Sequence, residues 1–339
     1  MDVHANIPLK NFTTIKLGGP ARFIGEAHST DDVIALYHQA KSQNLPVFVL
    51  GGGSNVVVRD EGFDGFIIRV LIPGFDIIND DINTTIIKIG AGESWDKTVE
   101  RSVEMNLSGI ESMSSIPGMV GAAPVQNVGA YGQEIAETLQ SLEAYDSQTD
   151  QIVTLQNADC GFSYRDSIFR GAQKGRYIIT SITLKLSKTL PQPPFYDALQ
   201  KYFDEHNTHN FTQDTVRQAV TAIRAYKLPD PTLLPNAGSF FKNIIVEDWK
   251  LNELRKDFPD IPAYDMAEGK FKLSTGWLIE QTGLKGKVLH GIKVHDKNAL
   301  VLINESATSY SDLAKAREEI IDAVRNKFGV QIEQEPLEI

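Results

Sequence analysis

Three short segments of this 339-residue chain combine residue types that could do chemistry. The first, Gly51-Gly52-Gly53-Ser54-Asn55, follows the apolar run at 47–50, which is typical of a buried strand. Consecutive glycines let peptide N–H groups approach an anion without obstruction by a Cβ atom, so this loop could form a nest for phosphate. A tight turn without any chemical role is an equally good interpretation, and the sequence leaves both open.

The second segment, residues 160–169, places Arg165 among aromatic side chains. A guanidinium in this setting could hold a carboxylate through two parallel hydrogen bonds. Considered alone, however, the segment favours a structural salt bridge between Arg165 and the neighbouring Asp166.

The third segment, residues 236–243, places Ser239 between Gly238 and a pair of phenylalanines. We expect its hydroxyl to lie in the wall of a dry pocket, with the polar residues Lys242 and Asn243 close behind. The alternative is a buried hydroxyl that bonds to the backbone and has only a structural role.

The elements that must position these segments alternate between strands and helices. Capping boxes predict helices that start at Ser29 and Ser309, because each serine is followed three residues later by an aspartate. Apolar patterns predict the remaining elements, namely strands at 47–50, 56–58, 66–68, 84–89, 151–155, 177–186 and 299–303, and helices at 95–105, 214–226 and 274–281. The glycine- and alanine-rich stretch 115–132 shows neither period, so we expect backbone that packs closely on something flat or bulky.

Composition and charge exclude several classes of protein. The formal net charge of −11 disfavours binding to a phosphate backbone, although it says little about one local cleft. Cys160 is the only cysteine, which excludes an internal disulfide and fits a reducing compartment. We read no signal peptide and no membrane-spanning run, and therefore expect a cytoplasmic protein.

Several common sites are absent from the sequence. There is no P-loop, no complete GxGxxG fingerprint, no GxSxG and no HExxH. We interpret the histidine pairs 206/209 and 290/295 as surface or structural residues and predict no metal site.

Considered jointly, the three segments match one family in order and spacing. From Asn11-Phe12-Thr13-Thr14 to Glu335, the chain resembles the UDP-N-acetylenolpyruvoylglucosamine reductases of bacterial cell-wall synthesis. The segments that carry the resemblance are 51–55, 116–118, 129–132, 164–167, 227–229, 236–243 and 276–279. Residues 191–212, which include Tyr196, resemble the longer form of the family, in which a tyrosine covers the substrate.

The resemblance implies an α+β fold, with a two-part FAD-binding region of the vanillyl-alcohol-oxidase-like type and a separate α/β substrate-binding domain. We expect FAD-binding subdomains at 1–70 and 71–226, a substrate-binding domain at 227–328 and a C-terminal segment, 329–339, that returns to the active site. Composition independently suggests the boundary near Leu228-Pro229-Asp230-Pro231. The residues implied to hold non-covalent FAD are Gly51, Gly52, Gly53, Ser54 and Asn55 at the pyrophosphate, and Pro117, Gly118, Gly121, Ala122, Gln126, Gly129 and Ala130 along the flavin.

The resemblance also implies the reaction. NADPH reduces FAD, and the flavin then reduces the enolpyruvyl group of UDP-N-acetylglucosamine enolpyruvate to give UDP-N-acetylmuramate. Arg165 matches the residue that stabilises the developing negative charge, Ser239 matches the proton donor, and Glu335 matches a third catalytic residue. The residues that match contacts to substrate or NADPH are Tyr196, Lys227, Asn243, Tyr264 and Lys285.

One departure from the family affects the third catalytic residue. The chain reads Glu333-Gln334-Glu335-Pro336-Leu337, where the family usually has Glu-Val-Arg, so Leu337 replaces an arginine and Glu333 is a rival carboxylate. Besides the enolpyruvyl nucleotide sugar and NADPH, we expect no nucleic acid, membrane or obligate protein partner. Two competing interpretations of the function remain. One is a flavin oxidase or dehydrogenase of the same fold with another substrate, and the other is a non-catalytic regulator that binds a nucleotide sugar.

Overall fold

The computed structural model describes residues 2–266 and 268–339. Its strands are β1 (Val3–Pro8), β2 (Pro20–Ala27), β3 (Val47–Leu50), β4 (Val56–Val57), β5 (Phe63–Val70), β6 (Phe75–Asp80), β7 (Thr84–Gly90), β8 (Gly129–Ala130), β9 (Gln133–Glu134), β10 (Leu139–Asp146), β11 (Gln151–Gln156), β12 (Tyr177–Ser187), β13 (Asn236–Ser239), β14 (Ile244–Glu247), β15 (Ala263–Asp265), β16 (Lys270–Leu273), β17 (Val288–Leu289), β18 (Ile292–Val294), β19 (Val301–Asn304) and β20 (Leu337–Glu338).

The α-helices are α1 (Thr30–Ser42), α2 (Trp95–Glu104), α3 (Ile135–Thr138), α4 (Asp197–Glu205), α5 (Gln213–Lys227), α6 (Asp248–Asp257), α7 (Thr275–Gln281) and α8 (Tyr310–Phe328). Short 3₁₀ helices cover Leu9–Asn11, Glu111–Met113, Val120–Gln126 and Asn157–Cys160.

The chain divides into two compact units, and each is built from separated segments. The first unit contains the residues up to Ile7, Ala21–Gly52 and Asp64–Ala225. The second contains Pro8–Pro20, Gly53–Phe63 and Tyr226–Ile339. The glycine loop at 51–55 therefore begins in the first unit and ends in the second. The four-part division expected from the sequence, at 1–70, 71–226, 227–328 and 329–339, remains a prediction.

Two sheets organise the first unit. One has the strand order β1-β2-β5-β3, and β3 pairs with β5 in parallel. The other is antiparallel with the order β11-β10-β12-β7-β6. Its core includes the fully buried Trp95 of α2, and a smaller aromatic core under α4 and α5 contains Phe195, Phe203 and Phe211.

The second unit has a four-stranded sheet, β13-β19-β18-β17, and a three-stranded sheet, β14-β16-β15. Its core gathers side chains from all three of its segments, including Ile15 and Leu17 from the first, Val57 from the second, and Phe240 and Phe241 from the third. Because β20 pairs in parallel with β4, the last residues of the chain are part of this unit.

Most predicted elements are present with shifts of one to three residues at their ends. The capping box at Ser309 is confirmed, since Ser309 and Asp312 bond each other's backbone N–H groups. At Ser29 only half of the predicted box forms, because Asp32 accepts from the N–H of His28 instead. The stretch 115–132, whose sequence shows neither period, contains a 3₁₀ helix at Val120–Gln126. Its three-residue period and internal Pro124 explain why no α-helical pattern is seen.

Candidate active site

Three backbone segments of the first unit, residues 51–52, 90–92 and 117–122, approach one another at their glycines. A Cβ atom on Gly52 would lie 3.0 Å from the Cα of Gly118, and one on Gly121 would lie 2.6 Å from the Cβ of Ala91. The N–H of Gly121 donates to the carbonyl of Ala91 at 2.9 Å. Pro117 and Ala122 remain exposed on this surface. A surface of peptide groups and small side chains fits the phosphates and the flat ring system of FAD.

The remaining part of the glycine loop packs within the second unit. Gly53 has a φ of 63°, and a Cβ atom on it would lie 1.8 Å from the carbonyl oxygen of Phe12. The N–H of Thr14 donates to the carbonyl of Gly53 at 3.1 Å, and the Thr14 hydroxyl donates to the carbonyl of Asn236 at 2.6 Å. The conformation of the loop thus requires glycine at position 53, and the sequence Asn11-Phe12-Thr13-Thr14 holds it there.

Arg165 lies in a tight turn that is bonded to the small-residue stretch of the first unit. Its guanidinium donates to the carbonyl of Gly129 at 2.8 Å and to that of Asn127 at 3.5 Å. Its backbone φ is 54°, in the left-handed region that an arginine seldom adopts, which is a strained conformation of the kind found at functional sites. The two carbonyl contacts orient the guanidinium plane and bring no negative charge of their own.

Neighbouring side chains secure the same turn. The Ser167 hydroxyl donates to the carbonyl of Val125 at 2.6 Å, and Arg170 donates to the side-chain oxygen of Gln126 at 2.5 Å. Gln126 and Gly129, which the resemblance assigns to FAD, therefore also support the segment that carries Arg165. The carboxylate of Asp166 accepts from the N–H of Ser167 at 2.9 Å.

Ser239 lies at the end of β13 in the second unit, beside a break in strand pairing. The register between β13 and β19 shifts between Asn236 and Ser239, and Gly238 in that interval has a φ of 70°. Such a bulge changes the direction of the side chain that follows it. Ser239 is half-buried, and the next residue, Phe240, is fully buried; the location of the Ser239 hydroxyl in a pocket wall remains a prediction.

The structure brings Glu335 to the strand that carries Ser239. The N–H of Glu335 donates to the carbonyl of Phe240 at 2.9 Å, and Phe241 forms an isolated bridge with Gln334. Glu333 is exposed, and its carbonyl accepts from the N–H of Lys242 at 2.9 Å, whereas Glu335 is half-buried. The backbone therefore places Glu335 closer to Ser239 along this pairing than its rival Glu333.

Tyr196 belongs to the first unit, where it immediately precedes α4. Its ring makes an edge contact with Tyr131, with ring centroids 6.0 Å apart, and the residue is 43% exposed. That this ring covers the substrate, as the resemblance implies, remains a prediction.

The four other residues assigned to ligand contacts lie in the second unit. Lys227 is exposed at the end of α5, and Tyr264 is exposed on β15 opposite Lys272. Lys285 forms an ion pair with Glu280 at 2.9 Å, so the positive charge expected there is partly balanced. The side-chain oxygen of Asn243 accepts from the N–H of Thr275 at 3.1 Å and thereby binds the start of α7, a structural role that the sequence did not predict.

Sequence reasoning did not single out a further charged group of the first unit, Arg224. It lies on α5 and donates to the carbonyl of Ser115 at 3.3 Å. Burial lowers the pKa of its guanidinium, while Tyr131 and Asp96 nearby oppose that shift. The sequence feature that could have identified Arg224 is its position three residues before Lys227, which places both residues on the same side of the helix.

Two general features of the described residues concern possible binding partners. Within 2–266 and 268–339, no helix is long and apolar enough to cross a membrane. Over the same residues, no group of three or more histidine, cysteine, aspartate or glutamate side chains could hold a metal ion.

Comparison with known proteins gives consistent results over nearly the whole chain. Residues 230–339 match the C-terminal domain of UDP-N-acetylenolpyruvoylglucosamine reductase, and residues 21–156 match an FAD-binding domain. The chain is 39% identical to the UDP-N-acetylenolpyruvoylglucosamine reductase of Ralstonia nicotianae, covering 98% of each protein. It is also 39% identical to the protein of that name from Cupriavidus pinatubonensis, covering 99% of each.

A solved structure shows the same fold. The UDP-N-acetylenolpyruvylglucosamine reductase of Thermus caldophilus is 22% identical and superposes with a TM-score of 0.68, covering 99% of this chain and 98% of that one. The predicted fold class, an α+β protein with a two-part FAD-binding region and a separate substrate-binding domain, is confirmed. Because the identity to curated relatives extends over nearly the full length of the chain, the chain belongs to the UDP-N-acetylenolpyruvoylglucosamine reductase family.

Proposed function

We propose that Arg165, Ser239 and Glu335 are the residues with which this chain performs the reaction of its family. That reaction is the NADPH-dependent reduction of the enolpyruvyl group of UDP-N-acetylglucosamine enolpyruvate, which gives UDP-N-acetylmuramate for peptidoglycan synthesis. The chain is thus an FAD-containing oxidoreductase with NADPH as its co-substrate. The observation that carries the proposal is the pairing of the Ser239 and Glu335 segments through the Phe240 carbonyl.

The cofactor would be held by the surface of small residues described above. Its donors would be peptide groups of the glycine loop and of the stretch from Pro117 to Ala130, where glycines leave the backbone open to a phosphate or a flat ring. Bound FAD supplies hydride transfer, which is chemistry that none of the protein side chains can perform.

Arg165 would stabilise the negative charge that spreads into the substrate carboxylate during reduction. A guanidinium already oriented by the carbonyls of Asn127 and Gly129 needs little rearrangement when that charge appears. Its planar set of N–H donors also matches the two oxygens of a carboxylate.

Ser239 would donate the proton from its Oγ to the carbon next to that carboxylate. A serine hydroxyl is a weak acid, but a carbanion is far more basic than an alkoxide, so the transfer is favourable. Glu335, which the Phe240 carbonyl holds on the neighbouring segment, would orient the serine system or assist the protonation.

The remaining assigned residues would bind the nucleotide sugar or NADPH. Tyr196 offers an exposed aromatic face, and Lys227 and Lys285 offer positive charge in a chain of net charge −11. A visible absorption spectrum under anaerobic conditions tests the function. NADPH should bleach the flavin, and the enolpyruvyl nucleotide sugar should restore its colour; a flavin that substrate leaves reduced would contradict the proposal.

A further inference from the structure

The carboxylate of Glu338 is held by three side chains of the second unit, which we name the Glu338 clamp: Arg59, Tyr310 and Arg317. Arg59 donates to Oε1 through Nε at 2.8 Å, with a second guanidinium nitrogen at 2.6 Å. Arg317 and the Tyr310 hydroxyl donate to Oε2 at 2.9 and 2.6 Å. One carboxylate thus receives hydrogen bonds on both oxygens from two cations and a phenol.

The Arg317–Glu338 pair is largely shielded from solvent, whereas the side chain of Arg59 is 60% exposed. The side chains of Glu338 and Arg317 are 22% and 18% exposed, which makes their interaction stronger than that of a fully solvated pair. Burial alone would raise the pKa of Glu338, but hydrogen bonds from Tyr310, Arg59 and Arg317 hold that pKa below its usual range. The carboxylate is therefore charged at neutral pH.

The clamp holds the chain on both sides of Glu335. The same Arg317 nitrogen that bonds Glu338 also donates to the side-chain oxygen of Gln334 at 2.8 Å. The Gln334 side chain in turn donates to the carbonyl of Pro336 at 2.8 Å. The residues immediately before and after Glu335 are thus tied to one guanidinium on α8.

Backbone pairing reinforces this arrangement. The N–H of Leu337 donates to the carbonyl of Asn55 at 2.9 Å, and that of Ile339 donates to the carbonyl of Val57 at 3.0 Å. Upstream, the N–H of Glu335 donates to the carbonyl of Phe240 at 2.9 Å. Glu335 therefore lies in the short link between two anchored segments, one on the Ser239 strand and one on β4.

We propose that Glu338 and Arg317 are positioning residues that hold the Glu335 carboxylate in register with Ser239. The inference rests on the role proposed above for Glu335, and it adds two residues that act through Glu335. If the clamp opens, the link carrying Glu335 loses its downstream anchor, and the step that needs Glu335 slows.

The test uses the full-length holoenzyme and follows flavin absorbance in the stopped-flow for each half-reaction. Glu338→Gln removes the charge and keeps the shape, and Tyr310→Phe removes a single hydrogen bond. Glu253→Gln is the matched control, because Glu253 pairs with Lys250 at 2.8 Å in an exposed position of the same unit. Each variant is also made in the Glu335→Gln background, to measure coupling between the two positions.

We expect Glu338→Gln to slow reoxidation by substrate about tenfold, the scale of one lost charge-assisted interaction, while reduction by NADPH changes less than about twofold. Tyr310→Phe should slow the same step by a smaller factor, and the control should change neither. In the Glu335→Gln background Glu338→Gln should add less than about twofold, because the group it positions is gone.

Any of the following results would overturn the inference. Equal slowing of both half-reactions, or weakened FAD binding, would make the clamp a support for the fold or for the glycine loop at Asn55. If the effects of Glu338→Gln and Glu335→Gln on the reoxidation rate were fully additive, Glu338 would not act through Glu335. Unchanged reoxidation in both Glu338→Gln and Tyr310→Phe would remove the positioning role. If Glu335→Gln itself leaves reoxidation unchanged, the assignment of Glu335 fails first, and the clamp inference fails with it.

Discussion

Replacing Ser239 with alanine should separate the two half-reactions of the enzyme. Ser239 is assigned to protonation of the substrate after hydride transfer, whereas reduction of FAD by NADPH requires no such proton donor. Ser239→Ala should therefore still bleach the flavin with NADPH at nearly the normal rate. Reoxidation by the enolpyruvyl substrate should slow strongly, because the carbanion then lacks an acid within reach.

The expected size of the effect can be bounded from the structure. Removal of a general acid typically costs roughly 10²–10⁴-fold in rate. Ser239 is half-buried, and its strand is held by backbone pairing with Val301 and by the N–H of Phe240, which alanine keeps. The free energy of unfolding should change by about 0.5 kcal/mol or less, equivalent to a factor of about 2 in an equilibrium constant. Lost stability cannot imitate the expected rate loss.

Stopped-flow absorbance of the flavin measures both steps in a single preparation. Ser239→Cys should fall between serine and alanine, since a thiol can also donate a proton. Ser29→Ala is the matched control: Ser29 caps α1 in the first unit, so its loss should cost about 1 kcal/mol of stability and leave both rates unchanged. If alanine at 239 slowed both half-reactions equally, Ser239 would serve packing or flavin positioning, and the proposed mechanism would lose its proton source.

Three further outcomes are expected. Arg165→Lys should slow reoxidation by roughly 10²–10³-fold although the charge is kept. The reason is that an ammonium cannot reproduce the planar set of N–H donors that bonds the carbonyls of Gly129 and Asn127. A change below about threefold in the stopped-flow would assign Arg165 a structural role. Acid precipitation should release the yellow colour into the supernatant, since FAD is expected to be non-covalent, and colour in the pellet would contradict this. Burial raises the pKa of Cys160 to about 12, so its thiol stays protonated at pH 8 and should not react with iodoacetamide until the protein unfolds; rapid labelling of native protein, measured by mass spectrometry, would show that Cys160 is accessible.

Local sequence patterns were sufficient to predict the helices and strands that have a clear apolar period or capping residues. The box at Ser309 and the glycine at 329 define α8 from end to end, and the apolar runs identify β3, β7 and β12. Helices α4 and α6 were not predicted, because polar, charged residues surround their few buried positions. The membership of residues 8–20 and 53–63 in the second unit could not be predicted, because it depends on contacts with residues more than 200 positions later, such as that of Thr14 with Asn236.

The same distinction applies to the site. Residue types and the family resemblance pointed to Arg165 and Ser239, and the resemblance alone pointed to Glu335, whereas the contacts that hold these residues had no local signature. The carbonyls that orient Arg165 come from residues 36 and 38 positions away in the sequence. Nothing in the sequence around Glu338 indicates that Arg59, 279 positions earlier in the chain, donates a hydrogen bond to its carboxylate.

The second unit is assembled from three separated segments of the chain, and this affects how the protein folds during its synthesis. Residues 8–20 and 53–63 leave the ribosome early, yet β4 acquires its partner β20 only when residue 338 has been synthesised. Until then Ile15, Leu17 and Val57 have no complete core to enter. Contacts of such high sequence separation form slowly. The nascent chain therefore carries exposed apolar side chains for most of its synthesis, and a fragment that begins at residue 226 would lack part of its own interior.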